Sequence, residues 1–309
     1  MEYKQLGLSD LQISRIGFGC WAIGGHGYGK VDDRESVKAI QRALDLGINF
    51  FDTADVYGFG HSEEILSKAL GKIRKEVVIA TKFGVHWDST GRTYKDCNPK
   101  RINEALEGSL RRLKIDCVPL YQIHWYDGIT PTEEIMETLI ECQKAGKIRY
   151  IGCSNFSIRL IRKACKINRV ESNQVLYNVL DRDTEKDIIK CAKELKIGIL
   201  VYSVLSRGLF SGKYKEDSQF DFNDTRNKDN SFRGKRLKKN LRAYDKLKEV
   251  AIDYNKTPIQ VAIRWILDNP HVTSAIVGIK KIKQLEENVG AIGWELRPND
   301  REILSSMAG

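Results

Sequence analysis

The chain has 309 residues, 41% hydrophobic and 30% charged, with 51 Lys and Arg against 41 Asp and Glu for a formal charge of +10. That is enough apolar material for one large core or two ordinary domains, and no apolar run approaches the roughly 18–20 residues that cross a bilayer, which excludes a spanning helix. The opening MEYKQLGLSD lacks a signal-peptide layout, and seven cysteines without a C-x-x-C pair argue against a disulfide framework or zinc ribbon, so a cytoplasmic chain is expected.

Short apolar strands alternate with amphipathic helical segments in chain order. RIGFG (15–19) precedes a helix from about Asp33 to Leu46, and INFFDT (48–53) precedes one with Ser62 as N-cap and Glu63 and Glu64 in its first turn. VVIATK (77–82) leads to NPKRINEALEGSLRRL, where Asn98 caps and Pro99 takes the first helical position. CVPLYQIH (117–124) leads to TPTEEIMETLIECQKAG. IRYIGCSN (148–155), ESNQVL (171–176) and IGILVYS (197–203) follow, each with a helical segment behind it. SAIVG (274–278) is the last strand, followed by KKIKQLEENVGAI. Cys117, Cys153 and Cys191 lie in or beside apolar stretches and are expected in the core.

Eight strand-then-helix units, apolar nearly throughout their strands, predict a single α/β domain over residues 1–309, a closed (β/α)8 TIM barrel. YKQLGLSDLQIS (3–14) reads as a β-hairpin plugging its lower end. The polar stretch 215–236 after strand seven is too long for an ordinary connection and is either a functional lid or disordered. Gly17-x-Gly19-x-x-Ala22 matches a Rossmann fingerprint as a string, but IGGHGYGKV intervenes before any helix, and Gly24, Gly25, Gly27 and Gly29 read as a flexible loop. Basic residues are interleaved with acids, as in EALEGSLRRLK, except in 233–242. No nucleic-acid motif accompanies that patch, so neither nucleic acid nor membrane is an expected partner.

In such a barrel three successive strands end in Asp52, Lys82 and His124, with Tyr57 on the loop after Asp52. Barrel active sites form at that end. A phenol ionises near pH 10, too high for rapid proton delivery at neutral pH; a lysine ammonium beside it should lower that value, an aspartate should orient the lysine, and a histidine can donate to a carbonyl oxygen. This is equipment for protonating an oxyanion as hydride reaches carbon. The residues lack metal-ligand spacing, so no metal is expected, and there is no G-x-S-x-G elbow.

GFGCW, FFDTADVYGFGHSEE, VVIATK, YQIHW, IGCSNF, NQVLYN, VYSVLSRGLFSGKY and SAIVGIKKIKQLEENVGA occur in an order that resembles the aldo-keto reductase family over essentially the whole chain. The overall cast is similar to bacterial general-stress and inositol-utilisation reductases. The resemblance implies a catalytic tetrad of Asp52, Tyr57, Lys82 and His124, with Tyr57 as acid in reduction and base in oxidation. It also implies an NADP(H) site. Gly19, Cys20, Trp21 and Asp52 line it at the mouth, Ser154, Asn155 and Gln174 hold the nicotinamide carboxamide, and Tyr202 stacks on the ring. Ser203, Leu205, Arg207, Gly208 and Lys213 follow the pyrophosphate, with Arg226 closing over it. Gly278, Lys280, Gln284, Glu287 and Asn288 match the adenosine end, and Lys280, beside Lys281 and Lys283 at a helix start, suits a 2′-phosphate. Trp21 and Trp125, with Tyr57 and His124, are expected to wall a carbonyl or alcohol substrate, and Tyr126 replaces the family's frequent proline at the rim. Two alternatives share these residues: a polyol or sugar dehydrogenase running oxidatively, and an NADP(H)-sensing regulatory subunit resembling potassium-channel β subunits, although nothing reads as a partner-docking arm.

Overall fold

The computed structural model describes residues 1–25, 31–220 and 224–307. Strands β1 (Tyr3–Gln5) and β2 (Gln12–Ser14) pair antiparallel. Their connecting turn and β2 send Leu6, Leu11 and Ile13 into a buried cluster with Phe50, Val78, Ala80, Leu120, Leu200 and Ile276. The hairpin is therefore the floor of the barrel, held by the apolar area it removes from water.

The repeating units are β3 (Ile16–Gly19) and α1 (Asp33–Asp45), β4 (Phe50–Asp52) and α2 (His61–Leu70), then β5 (Val78–Phe83). A second antiparallel hairpin, β6 (Val85–Trp87) and β7 (Thr93–Lys95), interrupts before α3 (Pro99–Leu113). There follow β8 (Val118–Ile123), α4 (Thr132–Lys144), β9 (Ile148–Ser154), α5 (Ile158–Ile167), β10 (Ser172–Leu176), α6 (Ile188–Glu194) and β11 (Gly198–Tyr202). Two helices, α7 (Gly234–Asp253) and α8 (Pro258–Leu267), precede β12 (Val272–Gly278), and α9 (Ile282–Val289) and α10 (Pro298–Ser305) close the chain. The eight strands β3, β4, β5, β8, β9, β10, β11 and β12 form a closed barrel, with β12 parallel to β3 at the seam. This is the (β/α)8 TIM barrel that the strand–helix alternation predicts.

Local chemistry explains most element ends. The Asn98 side chain accepts from Arg101 N with Pro99 inside the first turn, as expected. Ser62 does not cap α2, a correction. The helix starts one residue earlier at His61, after Gly60 turns the chain at φ +99°. The Ser62 hydroxyl instead donates to the Cys20 carbonyl at 3.0 Å and meets Thr53 Oγ1 at 2.9 Å. Cys153 and Cys191 are buried, but Cys117 is only partly so, because it precedes β8 rather than lying in it. Within 215–236 the described residues form short 3-10 turns at Thr225–Lys228 and Asn230–Phe232, and Gly234 already begins α7. Gly27 and Gly29 of the expected glycine loop lie outside the described residues, while Ala22–Gly24 form a 3-10 turn. The first α-helix after Gly19 starts only at Asp33, as the rejection of a Rossmann motif requires. Among the described residues no helix is long and apolar enough to cross a membrane.

Candidate active site

Side chains two apart on a strand share a face, and the barrel uses this to stack polar groups above its apolar floor. Asp52 is opposite Gly19 and Ala80 in register, and Lys82 is opposite Gln122. The Lys82 ammonium donates to Asp52 Oδ2 at 2.6 Å, to the Thr53 carbonyl at 2.8 Å and to the Tyr57 hydroxyl at 3.3 Å. All three of its donors are therefore engaged. Asp52 and Lys82 are 3% and 0% exposed, which makes this a desolvated ion pair whose remaining lone pairs need partners. Oδ1 of Asp52 finds them in two carboxamides, Gln174 Nε2 at 2.7 Å and Gln122 Nε2 at 3.2 Å.

His124 follows β8 at the mouth, its ring edge-on to Tyr57 with centroids 5.6 Å apart. Trp21 stacks on Tyr57 with ring centroids 6.2 Å apart. The four expected catalytic residues thus meet at one end of the barrel. Their electrostatics differ in one respect from the sequence expectation. Burial outweighs the Lys82 field on Tyr57, so the phenol is pushed up to about 12 rather than down. Burial also opposes the Lys82 charge, but Asp52 and Tyr57 overcome it and hold the amine above its ordinary value. Burial and then Lys82 drive the His124 imidazole well below its usual range, so it is neutral near pH 7.

Trp21 and Trp125 stand partly exposed at the rim. The β6–β7 hairpin, which sequence reasoning missed, joins them: Trp87 packs on Phe59 at 5.4 Å, and the Lys95 ammonium lies 4.9 Å above the Trp125 ring. Tyr126 turns towards Phe156 at 6.4 Å. Gln122 was also missed, since a glutamine inside an apolar strand carries no spacing signal.

Around the mouth, Tyr202 donates to Asn155 Oδ1 at 2.9 Å, Asn155 Nδ2 donates to Ser154 Oγ at 3.0 Å, and Ser154 Oγ donates to the Gln174 carbonyl at 3.0 Å. These four expected carboxamide and ring contacts form one connected chain that also reaches Asp52. Cys20 is fully buried, its thiol directed at the Phe18 carbonyl and its backbone N–H and C=O bonded to Asp52 and Ser62, so it supports the mouth rather than facing a ligand. After β11, Ser203 and Arg207 adopt φ of +55° and +54°, Leu205 packs against the core, and Gly208 adopts φ +88°. Arg207 pairs with Asp229 at 2.7 Å, while Lys213 is exposed. Arg226 pairs with Asp224 Oδ1 at 2.8 Å and lies 4.8 Å over the Phe220 ring. Gln284 Oε1 accepts from the Lys280 and Lys281 amides at 3.0 and 3.2 Å, and so caps α9. Glu287 is half-buried, and its carbonyl accepts from Gln260. Burial and then Arg226 lower the Lys280 pKa.

A dinucleotide fits these residues on two observations. His124 Nδ1 at the mouth and Asn288 Nδ2 on α9 are buried polar atoms without a protein partner among the described residues. Nothing lies within 4 Å of where a Cβ on Gly278 would stand. A cavity of about 1080 Å³ lies elsewhere, lined by Lys4, Arg15, Arg264 and Asp268 near the floor. Its groups are already engaged, with Arg264 on Asp268 and Arg15 on backbone carbonyls, which leaves the polar cluster at the mouth as the candidate site.

The profile of the Aldo/keto reductase family matches residues 15–308. The chain belongs to the aldo/keto reductase family. It is 40% identical over 311 aligned positions to aldo-keto reductase YhdN of Bacillus subtilis, covering 99% of this chain and 93% of that protein. It is 38% identical to the Schizosaccharomyces pombe protein named aldo-keto reductase yakc [NADP(+)], over 92% and 85% of the two chains. Among solved structures, the glycerol dehydrogenase AKR11B4 from Gluconobacter oxydans superposes with a TM-score of 0.91 at 36% identity, over 99% and 94% of the two chains. This aldo/keto reductase is accordingly an oxidoreductase of carbonyl and alcohol compounds, in a family that uses nicotinamide cofactors.

Proposed function

We propose that the enzyme is an NADP(H)-dependent reductase of aldehydes and ketones in which Tyr57 is the general acid. The observation that carries this reading is the Tyr57 hydroxyl 3.3 Å from a lysine that is itself ion-paired to Asp52 at 2.6 Å. NADPH, when bound, supplies the hydride. Ser154, Asn155 and Gln174 would hold its carboxamide and Tyr202 its ring, with Lys280 and Arg226 near the 2′-phosphate and pyrophosphate. Trp21 and Trp125 would exclude water on either side of the substrate carbonyl. His124, neutral, can donate one hydrogen bond to that oxygen without losing its own proton. Tyr57 then gives its proton to the same oxygen, and Lys82 stabilises the phenolate left behind. A phenol pushed up to about 12 is fully protonated at neutral pH, so Tyr57 holds the proton that reduction requires, and the Lys82 ammonium 3.3 Å away stabilises the phenolate as it forms. Support for NADP(H) over NAD(H) comes from the cationic adenosine end and from the S. pombe relative, which is named for NADP(+).

The polyol dehydrogenase reading retains one specific support, the glycerol dehydrogenase among the structural relatives. A panel of aldehydes, ketones and polyols, scored by NADPH loss or NADP⁺ gain and repeated with NAD(H), separates the readings. Tyr57→Phe should lower kcat at least about 1000-fold while cofactor affinity stays within a factor of about two. Tight cofactor binding without repeated turnover on any compound would instead indicate a sensor.

A further inference from the structure

Asp52 is served by two carboxamides where the relay itself needs neither of them to touch substrate. Gln174 has a second reason to be there, since its strand end faces the expected nicotinamide. Gln122 has none: it is 0% exposed, sits two residues before His124, and among the described residues its side chain makes one hydrogen bond, 3.2 Å to Asp52 Oδ1, with Oε1 left unpartnered. Its amide orientation follows from that contact, because a carbonyl turned to the carboxylate would be repelled. The neighbouring strand is bare beside it. Gly152 is its register partner on β9, and a Cβ there would lie 2.4 Å from Ser172 Oγ and 2.9 Å from Gln122 Cγ, so the glycine makes room for both side chains. A residue that merely filled space would not need an amide at its tip and a bare backbone beside its stem.

We propose that Gln122 is a positioning residue of the proton relay, holding Oδ1 of Asp52 and so setting how much of the aspartate's charge falls on Lys82 and how readily Tyr57 ionises. The inference rests on the reductase reading for its functional consequence. A carboxylate that accepts N–H bonds at one oxygen presents less negative charge at the other. With Gln122 in place, Oδ2 neutralises Lys82 less completely, and more of the ammonium's field reaches the phenol 3.3 Å away. Without it, the Asp52–Lys82 pair closes on itself and the phenolate loses support.

The test follows Tyr57 directly. Phenolate absorbance is titrated in the cofactor-free protein for wild type, Gln122→Met and Gln122→Glu, each corrected by the same background carrying Tyr57→Phe. The midpoint should rise by about half a pH unit in the methionine variant, which keeps length but loses the donor, and by more than about one unit in the glutamate variant, which adds a second negative charge. The rising limb of kcat for alcohol oxidation with NADP⁺ should move by the same amounts, with NADP⁺ affinity unchanged. A filler role predicts kcat reduced at every pH with the limb unmoved. A Gln122→Met midpoint within about 0.2 unit of wild type overturns the proposal. Should Gln122→Glu fail to fold, the methionine variant decides alone. Wild type that turns over nothing would refute the reductase reading, yet the optical titration would still show whether Gln122 governs Tyr57.

Discussion

Two residues before Tyr57, the carboxyl of Asp55 is sealed in protein: it is 0% exposed, Oδ1 has no partner, and Oδ2 accepts from Arg101 Nη2 at 3.1 Å. Burial, then the adjacent Glu63, push it up to about 7, against the pull of Arg101 and Arg112. A folded-state pKa raised above the unfolded value stabilises at low pH, and that stability is lost as pH rises through about 7. Asp55→Asn keeps an acceptor for Arg101 and removes the titration. Its Tm by calorimetry should exceed wild type by about 5 °C at pH 8 and match it more closely at pH 5; a lower Tm at pH 8 would show that the ion pair outweighs desolvation. Asp55 and Gln122 were invisible in the sequence for the same reason. Their importance lies in what surrounds them, whereas Asp52, Lys82 and His124 announced themselves as ionisable groups at three successive strand ends. The opposite error was made at Tyr57. Sequence shows the lysine beside it but not the loss of water around it, and burial proved the larger effect.

Elements were legible where a single periodicity or cap governs them. Most barrel strands are apolar over most of their length, and Asn98–Pro99 specifies a helix start that no tertiary contact overrides. The α2 start was misread because Gly60 supplies a left-handed turn and Ser62 is drawn away to tie β3 to β4's loop. The β6–β7 hairpin escaped because VHW and TYK are short, partly exposed and joined by polar residues, a pattern shared with any loop. The N-terminal hairpin offers the cleanest separation of stability from chemistry. Leu6 is 0% exposed within the floor cluster, at the end of the barrel away from Tyr57. Leu6→Ala should cost about 2–5 kcal/mol in denaturant unfolding. The cofactor KM should be unaffected below the transition, and a large change in it would mean that the floor transmits strain to the mouth.

At the scale of the whole molecule, the charge of +10 could have signified a polyanionic partner, but many surface cations stand beside carboxylates in ion pairs that are each worth little, and the excess is not gathered into one patch by them. What matters is where cations are partly desolvated together. Lys280 is one such place: burial lowers its pKa, Arg226 lowers it further, and Asp224 only partly offsets them. A phosphate dianion placed there would reverse that shift, so binding energy and protonation are linked. NADPH at about 100 times its Kd should therefore stabilise the protein by about 2.7 kcal/mol. At the same concentration NADH, lacking the 2′-phosphate, should give a much smaller rise in Tm. Lys280→Gln should weaken NADPH by at least about tenfold, near 1.4 kcal/mol, and leave NADH unchanged. Because the contact is electrostatic and half-exposed, the preference should also shrink as salt is raised. Equal losses for both cofactors would place Lys280 on the shared part of the dinucleotide and remove the charge argument for NADP(H).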